Sequence, residues 1–492
     1  MMQYQSTRNK DDIKTSAGAI IQGIAEGKGL FVPREIPHLP FKPSEMLNKS
    51  YKEIAEIVIG AFFDDYSNEE IKRCVDGAYT EKFEAKDVVP VTKVGNANIL
   101  ELYHGRTAAF KDIALSILPY LLTTAVQKEN EDKKICILTA TSGDTGKAAL
   151  EGFADVPGTE IVVFFPDKGV SAVQKRQMVS QKGKNVHVFA VNGNFDDAQT
   201  GVKKIFEDQN MAQKTENAGV KLSSANSINI GRLVPQIVYY IYGYIKMIEN
   251  GTVSDGDAIN IEVPTGNFGN ILAAYYANRM GIPVNRFICA SNKNNVLTDF
   301  IRTGVYDRNR EFFITNSPSM DILISSNLER LLYHLSDGDT SEVAEYMSLL
   351  DEAGKYEVSE KIKLKLQKFY GGFCDIAETE RVVKEVWDKS HYLIDTHTAV
   401  ACKVYEDYLK ETADNTPVLI ASTASAYKFA GSIMKAMGEK TADEFDAVKN
   451  LSDLTGVSVP KCLVNLEDAI QIHSDVIEVE DIPTAVLNAL NI

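Results

Sequence analysis

The sequence has no Cys-x-x-Cys pair; its six cysteines, at 74, 136, 289, 374, 402 and 462, are scattered, and no histidine stands at metal-ligand spacing. A zinc ribbon, a dithiol redox centre and a disulfide framework are therefore not expected, and the cysteines read as reduced core thiols with no metal site. No stretch approaches eighteen uninterrupted apolar residues, and residues 1–12 carry no apolar leader core, so a membrane span is not expected and the cytoplasm is the expected location. Positive charge is in deficit: 52 Lys and Arg face 68 Asp and Glu, a net −16. Such a surface repels a phosphate backbone and an anionic bilayer, which argues against nucleic-acid and membrane partners. Internal repeats and low-complexity tracts are missing, as is the Gly-x-Ser-x-Gly nucleophile elbow.

What is present fits an ordinary soluble globular enzyme, with 44% hydrophobic and 24% charged residues over 492 positions, long enough for two or three domains. Residues 1–95 read as a mainly helical front section. Apolar residues recur at helical spacing through Tyr51–Ile59, and Ser67 with Glu70 has the capping-box form ahead of Ile71, Cys74 and Val75. A packing role without chemistry is expected for it. From 96 onward short apolar runs alternate with helical stretches, the signature of parallel α/β units, giving strands near 134–140, 160–165, 186–191, 258–263, 287–291 and 418–421. The expected fold class is α/β with two doubly wound domains, 96–250 and 251–492, the second carrying a helical insertion at about 295–390. Ligands bind at the carboxyl ends of strands in such folds, and three of these strands run into small polar residues.

One stretch, Glu101 to Asp112, joins a glycine turn to a lysine that opens an apolar helix running through Ile113, Ile117 and Leu121. Helix-terminal N–H groups and partial burial both disfavour an ammonium at Lys111, where a neutral amine is useful; a snorkelling surface lysine is the bland alternative. Thr265-Gly-Asn-Phe-Gly-Asn270 lies between strand and helix, the form of a backbone phosphate cradle or of a glycine turn chosen for close packing. Thr141-Ser-Gly-Asp-Thr-Gly146 is a second such turn. It is not a P-loop, since Thr141 and Ala148 replace the required Gly and Ser or Thr, and it suits a small carboxylate. Ser422-Thr-Ala-Ser425 offers hydroxyls to a ring nitrogen or to a helix cap. His104 and His397 stand alone and read as structural.

Taken together, His104-Gly-Arg-Thr-Ala-Ala-Phe-Lys-Asp112, Ser142-Gly-Asp-Thr-Gly146, Gly266-Asn-Phe-Gly-Asn270 and Ser422-Thr-Ala424 resemble the threonine synthases. The likeness extends along the chain through Ser6-Thr-Arg8, Gly29-Leu-Phe-Val-Pro33, Asn226-Ser-Ile-Asn229 and Asp395-Thr-His-Thr-Ala399, as in the longer fungal and enterobacterial type. It implies the type II pyridoxal-phosphate fold and pyridoxal 5′-phosphate as cofactor. By that resemblance Lys111 forms the imine with the cofactor, Gly266, Asn267, Phe268 and Asn270 hold its phosphate, and Thr423 faces its ring nitrogen. Ser142, Gly143, Asp144 and Thr145 receive the substrate amino acid.

The implied reaction converts O-phospho-L-homoserine and water to L-threonine and phosphate, with Lys111 as general base and acid. Candidates for the charge that receives the leaving phosphate are Arg106, Lys147, Arg232, Arg279 and Lys293. The chain departs from the family pattern at Arg106, where proline is common, and at Ala424-Ser-Ala-Tyr-Lys428, where Ala-His-Pro-Ala-Lys is usual. Rivals are a threonine dehydratase or cysteine-synthase-like enzyme of the same fold and a non-catalytic metabolite binder; a monomer and a homodimer both fit.

Overall fold

A computed structural model of the chain describes residues 1–129, 133–141, 143–168 and 170–492. It has the α/β class expected from the alternation, with two parallel sheets packed against helices. The smaller sheet orders Val476–Ile477, Val186–Val191, Thr159–Pro166, Lys134–Ala140 and Val220–Ser223, every neighbouring pair parallel. The larger orders Phe369–Phe373, Val284–Ser291, Ile259–Pro264, Val418–Ser422, Ala97–Glu101 and Val91–Val94, parallel except for its final hairpin.

Sheet membership does not follow chain order. Ala97–Glu101 lies beside Val418–Ser422 in the larger sheet, and Val476–Ile477 closes an edge of the smaller one, so a division at 250 does not separate the two sheets. Hydrophobic period identifies a strand but says nothing about its partner. The block at 295–390 is likewise not wholly helical. It contains the hairpin Val305–Asp307 with Lys355–Glu357, and it gives Phe369–Phe373 to the larger sheet. The two glycines of Phe369-Tyr-Gly-Gly-Phe373 weaken the strand signal there.

In the front section Ser67 Oγ accepts from the Glu70 amide at 3.2 Å while the Glu70 carboxylate accepts from the Ser67 amide at 2.7 Å, the expected capping box. The helices Tyr51–Phe62 and Asn68–Ala78 bury Ile54, Val58, Ile71 and Val75 in the core that also holds Leu118 and Tyr239. A small antiparallel sheet of Tyr4–Ser6, Ile13–Lys14 and Phe31–Pro33 accompanies them, in strands too short to show a period. Arg8 pairs with Glu329 at 2.8 Å and ties this section to the inserted block. Centrally, the helix Lys111–Lys128 is buried along most of its length and packs on Asp144–Phe153. Only glycine fits at 152, where a Cβ would lie 2.0 Å from the Leu115 carbonyl oxygen.

Candidate active site

The lysine motif and the Ser422–Ser425 turn are sewn together by backbone. Leu102 N–H donates to Ser422 O at 2.9 Å, Phe110 N–H to Thr423 O at 2.8 Å and Ser425 N–H to Ala108 O at 3.0 Å, around an antiparallel bridge of Ala109 with Ala424. Lys111 and Thr423, far apart in sequence, thereby meet at the carboxyl ends of neighbouring strands. The turn before Lys111 is strained, with Ala108 at φ +53°. Asp112 fixes it, accepting from Thr107 N–H at 2.8 Å and Thr107 Oγ1 at 2.6 Å. Burial raises the Asp112 carboxyl to about 6 against those hydrogen bonds. Gly105 packs on this carboxyl so closely that a Cβ would stand 2.4 Å from Oδ2.

Lys111 opens its helix and is 13% exposed. Burial lowers its pKa, Asp144 opposes that effect, and the cations Lys428 and Arg232 reinforce it. The nearest carboxylate, Asp144 Oδ2, is 3.8 Å from Lys111 Nζ. Asp144 is held through its other oxygen. Its Oδ1 accepts from Lys428 Nζ at 2.6 Å and from Gln174 Nε2 at 2.9 Å. Burial alone would raise the Asp144 pKa, but Lys428 and then Lys111 hold it well below the usual carboxylate range. Neither Lys428 nor Gln174 was singled out from sequence, because each reaches the site only through the fold.

The rest of the 141–146 turn is built around the Thr141 hydroxyl, which accepts from the Gly143 and Gly146 amides at 3.0 Å each and donates to Gly143 O at 3.1 Å. Gly143 faces the Gln174 side chain, 2.6 Å from where a Cβ would be, and Thr145 lies in the first turn of the helix Asp144–Phe153. Ser142 lies outside the described residues.

At 266–270 the backbone is arranged for an anion. The amides of Gly266 through Asn270 donate to no acceptor among the described residues, and the helix Gly269–Met280 begins there. Phe268, at φ +64°, takes the left-handed conformation, a strain typical of ligand-holding loops. The loop is clamped from the inserted block: Ser325 Oγ donates to Gly266 O at 2.7 Å, and Asn327 donates to Asn267 O from both its backbone and side-chain nitrogens at 3.0 Å. Asn270 Oδ1 accepts from Tyr239 and Tyr240 at 2.6 and 2.5 Å, while its Nδ2 is buried without a partner. An orphan buried donor beside five free amides fits a bound phosphate. The Thr423 hydroxyl is likewise uncommitted among the described residues.

The candidate cations separate clearly. Arg106 is half exposed and 3.8 Å from Glu151; Lys147 is buried but paired with Glu151 at 2.9 Å and with Gln181. Arg279 donates to Tyr275 at 3.2 Å, ten residues and about 15 Å along the helix from the loop. Lys293 lies over the Phe313 ring at 3.8 Å. Arg232 is different: buried, bonded to Ala225 O at 2.7 Å, without a carboxylate among the described residues, and with Nε unpartnered. It is also near enough to depress Lys111, and burial lowers its own pKa to about 10. His397 is structural, its Nδ1 bonded to Asp395 at 2.7 Å and its Nε2 accepting from Ser319 N–H at 3.2 Å. His104 pairs with Glu101 at 2.7 Å. Among the described residues all cysteines are free, no cluster suits a metal ion and no helix is long and apolar enough to cross a membrane.

Comparison with known proteins places these motifs in context. Residues 3–79 match the family model described as threonine synthase N terminus, 99–424 that of pyridoxal-phosphate dependent enzyme, and 398–477 that of threonine synthase, C-terminal. The chain is 39% identical over 453 residues to Threonine synthase-like 1 of Homo sapiens, covering 89% of this chain and 60% of that protein, so it spans only about three fifths of that relative's length. It is 35% identical to threonine synthase of Schizosaccharomyces pombe, covering 87% of each. Among solved structures, PLP-bound threonine synthase from Brucella melitensis superposes with a TM-score of 0.89 at 33% identity over 100% of both chains. Threonine synthase from yeast gives 0.87 at 31% identity over 99% of both.

Proposed function

The chain belongs to the threonine synthase family of pyridoxal-phosphate-dependent enzymes, and we propose that it converts O-phospho-L-homoserine and water to L-threonine and inorganic phosphate. The observation that carries this is the meeting of a largely buried, pKa-lowered Lys111 with the Thr423 turn, together with 266–270 amides that have no acceptor among the described residues. Gly266, Asn267, Phe268 and Asn270 hold the cofactor phosphate and Thr423 donates to or accepts from the ring nitrogen. The bound cofactor supplies an electron sink for the pair released at the substrate Cα. Lys111 does the proton work: its amine takes protons from Cα and Cβ, and the ammonium so formed returns one to Cγ, which becomes the methyl group once its C–O bond to the phosphate has broken, and one to Cα after water has added its hydroxyl at Cβ.

Arg232 receives the leaving phosphate, because among the described residues it is the buried guanidinium with an unpartnered Nε and no competing carboxylate. Gly143 and Thr145 border the substrate carboxylate, with Ser142 directly before Gly143 in sequence. Arg106 lies at the rim and adds attraction for an anionic substrate as it approaches. The free cysteines suit a reducing cytoplasm.

Purified protein given O-phosphohomoserine should release phosphate and threonine in equal amounts. Full activity in Lys111→Ala would overturn the assignment, and formation of a keto acid from threonine would move it to a dehydratase. Substitution of Arg232 by Met should raise KM for the phosphorylated substrate at least tenfold while cofactor absorbance stays unchanged.

A further inference from the structure

Lys428 is a charged side chain with no exposed surface, in a short turn, Ala426–Phe429, that follows Thr423. A buried ammonium is costly unless its bonds are met, and here two are: Asp144 Oδ1 at 2.6 Å and Thr107 O at 2.8 Å. Both partners belong to the site. Thr107 is the residue whose amide and hydroxyl hold Asp112, directly after Lys111, and Asp144 turns its other oxygen toward Lys111 Nζ at 3.8 Å. Lys428 therefore stands between the lysine loop and the helix Asp144–Phe153, bonded to each.

The charge count gives this position a consequence. Asp144 is the one carboxylate paired with Lys111 among the described residues, and two buried oppositely charged groups alone would hold the lysine as an ammonium. With Lys428 present, Asp144 is already neutralised when Lys111 carries no proton, and protonating Lys111 leaves an uncompensated positive charge in a buried cluster that also contains Arg232. The groups facing Lys111 are Asp144, Lys428, Arg232 and Asp112; those facing Lys428 are Lys111, Asp144, Asp112 and the Cys462 thiol. Gln174 adds a neutral donor to Asp144 Oδ1, which keeps that carboxylate oriented without altering the count.

We propose that Lys428 is a positioning residue that holds Lys111 as a neutral amine, by taking up the charge of Asp144 and by joining the Thr107–Lys111 turn to the Asp144 helix. The proposal rests on Lys111 being the reactive amine but is tested without turnover.

The experiment uses the full chain freed of cofactor. Lys111 is labelled competitively with acetic anhydride across pH 6–11 and quantified by mass spectrometry, so that its titration midpoint is read directly. Lys428→Met should raise that midpoint by at least one pH unit, which is a tenfold loss of Lys111 labelling at pH 7.5 relative to wild type, and Lys428→Arg should restore most of it. The double variant Lys428→Met with Asp144→Asn should return the midpoint to the wild-type value or below. A purely structural role would not be rescued by removing a second partner. An unchanged midpoint in Lys428→Met, or one that the double variant leaves raised, overturns the proposal. If Lys428→Met does not fold by circular dichroism, Asp144→Asn alone decides: it should lower the midpoint, and a rise or no change overturns the proposal. Failure to turn over O-phosphohomoserine would refute the proposed reaction while leaving this measurement intact.

Discussion

Replacing Glu262 by glutamine should stabilise the chain by an amount that grows with pH. The strand Ile259–Pro264 is buried at every position, and Glu262 lies in register with Ile288 on one side and Ile420 on the other, with Ile99 next in the row. Those isoleucines share an apolar cluster with Val400 and Val404 of the helix Thr396–Thr412, and Cys402 and Tyr405 of that helix are close enough for Glu262 to raise their pKa values. Both Glu262 carboxyl oxygens are buried without a hydrogen-bond partner among the described residues, and burial pushes the group far above the usual carboxylate range. The sign follows from linkage. Below the unfolded pKa both states hold the proton, and above it only the folded chain does, so stability falls as pH rises, by about 1.4 kcal/mol per unit. At pH 7, roughly 2.7 units above the ordinary glutamate value, the carboxyl costs at most about 3.7 kcal/mol. Glutamine has the same shape and no titration, so Glu262→Gln should come close to wild type at pH 4.5 and exceed it increasingly toward pH 7, by up to about 3.7 kcal/mol. Methionine also removes the unpaired polar atoms and should add about 1–3 kcal/mol at every pH. The single tryptophan, Trp387, lies in the helix Ile376–Ser390 that packs on Thr396–Thr412, so urea unfolding followed by its fluorescence reports this layer. A Glu262→Gln difference that is flat between pH 5 and 7, or a loss of stability that deepens with pH, would mean that the carboxylate is ionised and paired, and the reasoning would be wrong.

Two substitutions test the 266–270 loop. In Gly266→Ala the new methyl would lie 2.5 Å from the Ser319 carbonyl oxygen, a backbone atom that cannot rotate away, so the loop must shift; cofactor affinity, read by absorbance titration of cofactor-free protein, should fall at least tenfold with melting little changed. Asn270→Asp keeps an acceptor for Tyr239 and Tyr240 but replaces the orphan Nδ2 by negative charge, and the same titration should show a loss of more than tenfold at pH 7.5.

What could be read from the sequence was whatever chemistry is local along the chain. Lys111 at a helix start, the free amides of 266–270 and the Ser67 capping box each depend on residues within one turn, and each occurs in the structure where the residue pattern put it. The 422–425 turn shows the limit of such reasoning, because capping and ligand binding were alternatives on local grounds. In the fold Ser425 caps its short helix through the Tyr427 amide, Ser422 bonds Thr398 at 2.9 Å, and of the three hydroxyls Thr423 alone has no partner among the described residues. Lys428, Gln174 and the distinction of Arg232 from four other cations were beyond reach. Lys428 meets Thr107 across 321 residues, and no periodicity carries that information.

The same long-range joints explain why the inserted block and the front section belong to the site rather than decorate it. Strained backbone at Phe268 persists only where its surroundings over-determine it. Here the determinants come from Ser325 and Asn327 of the inserted block, which grip Gly266 O and Asn267 O, and Asn327 is in turn held by buried Arg330. Arg330 reaches Phe31 O at 2.9 Å in the front section, and Glu329 next to it binds Thr7 and Arg8. A continuous line of hydrogen bonds thus runs from the short N-terminal sheet through the inserted block to the 266–270 loop. Loss of the front section should therefore be felt first as a loosened 266–270 loop, because the amides there have no partner among the described residues to hold them in place.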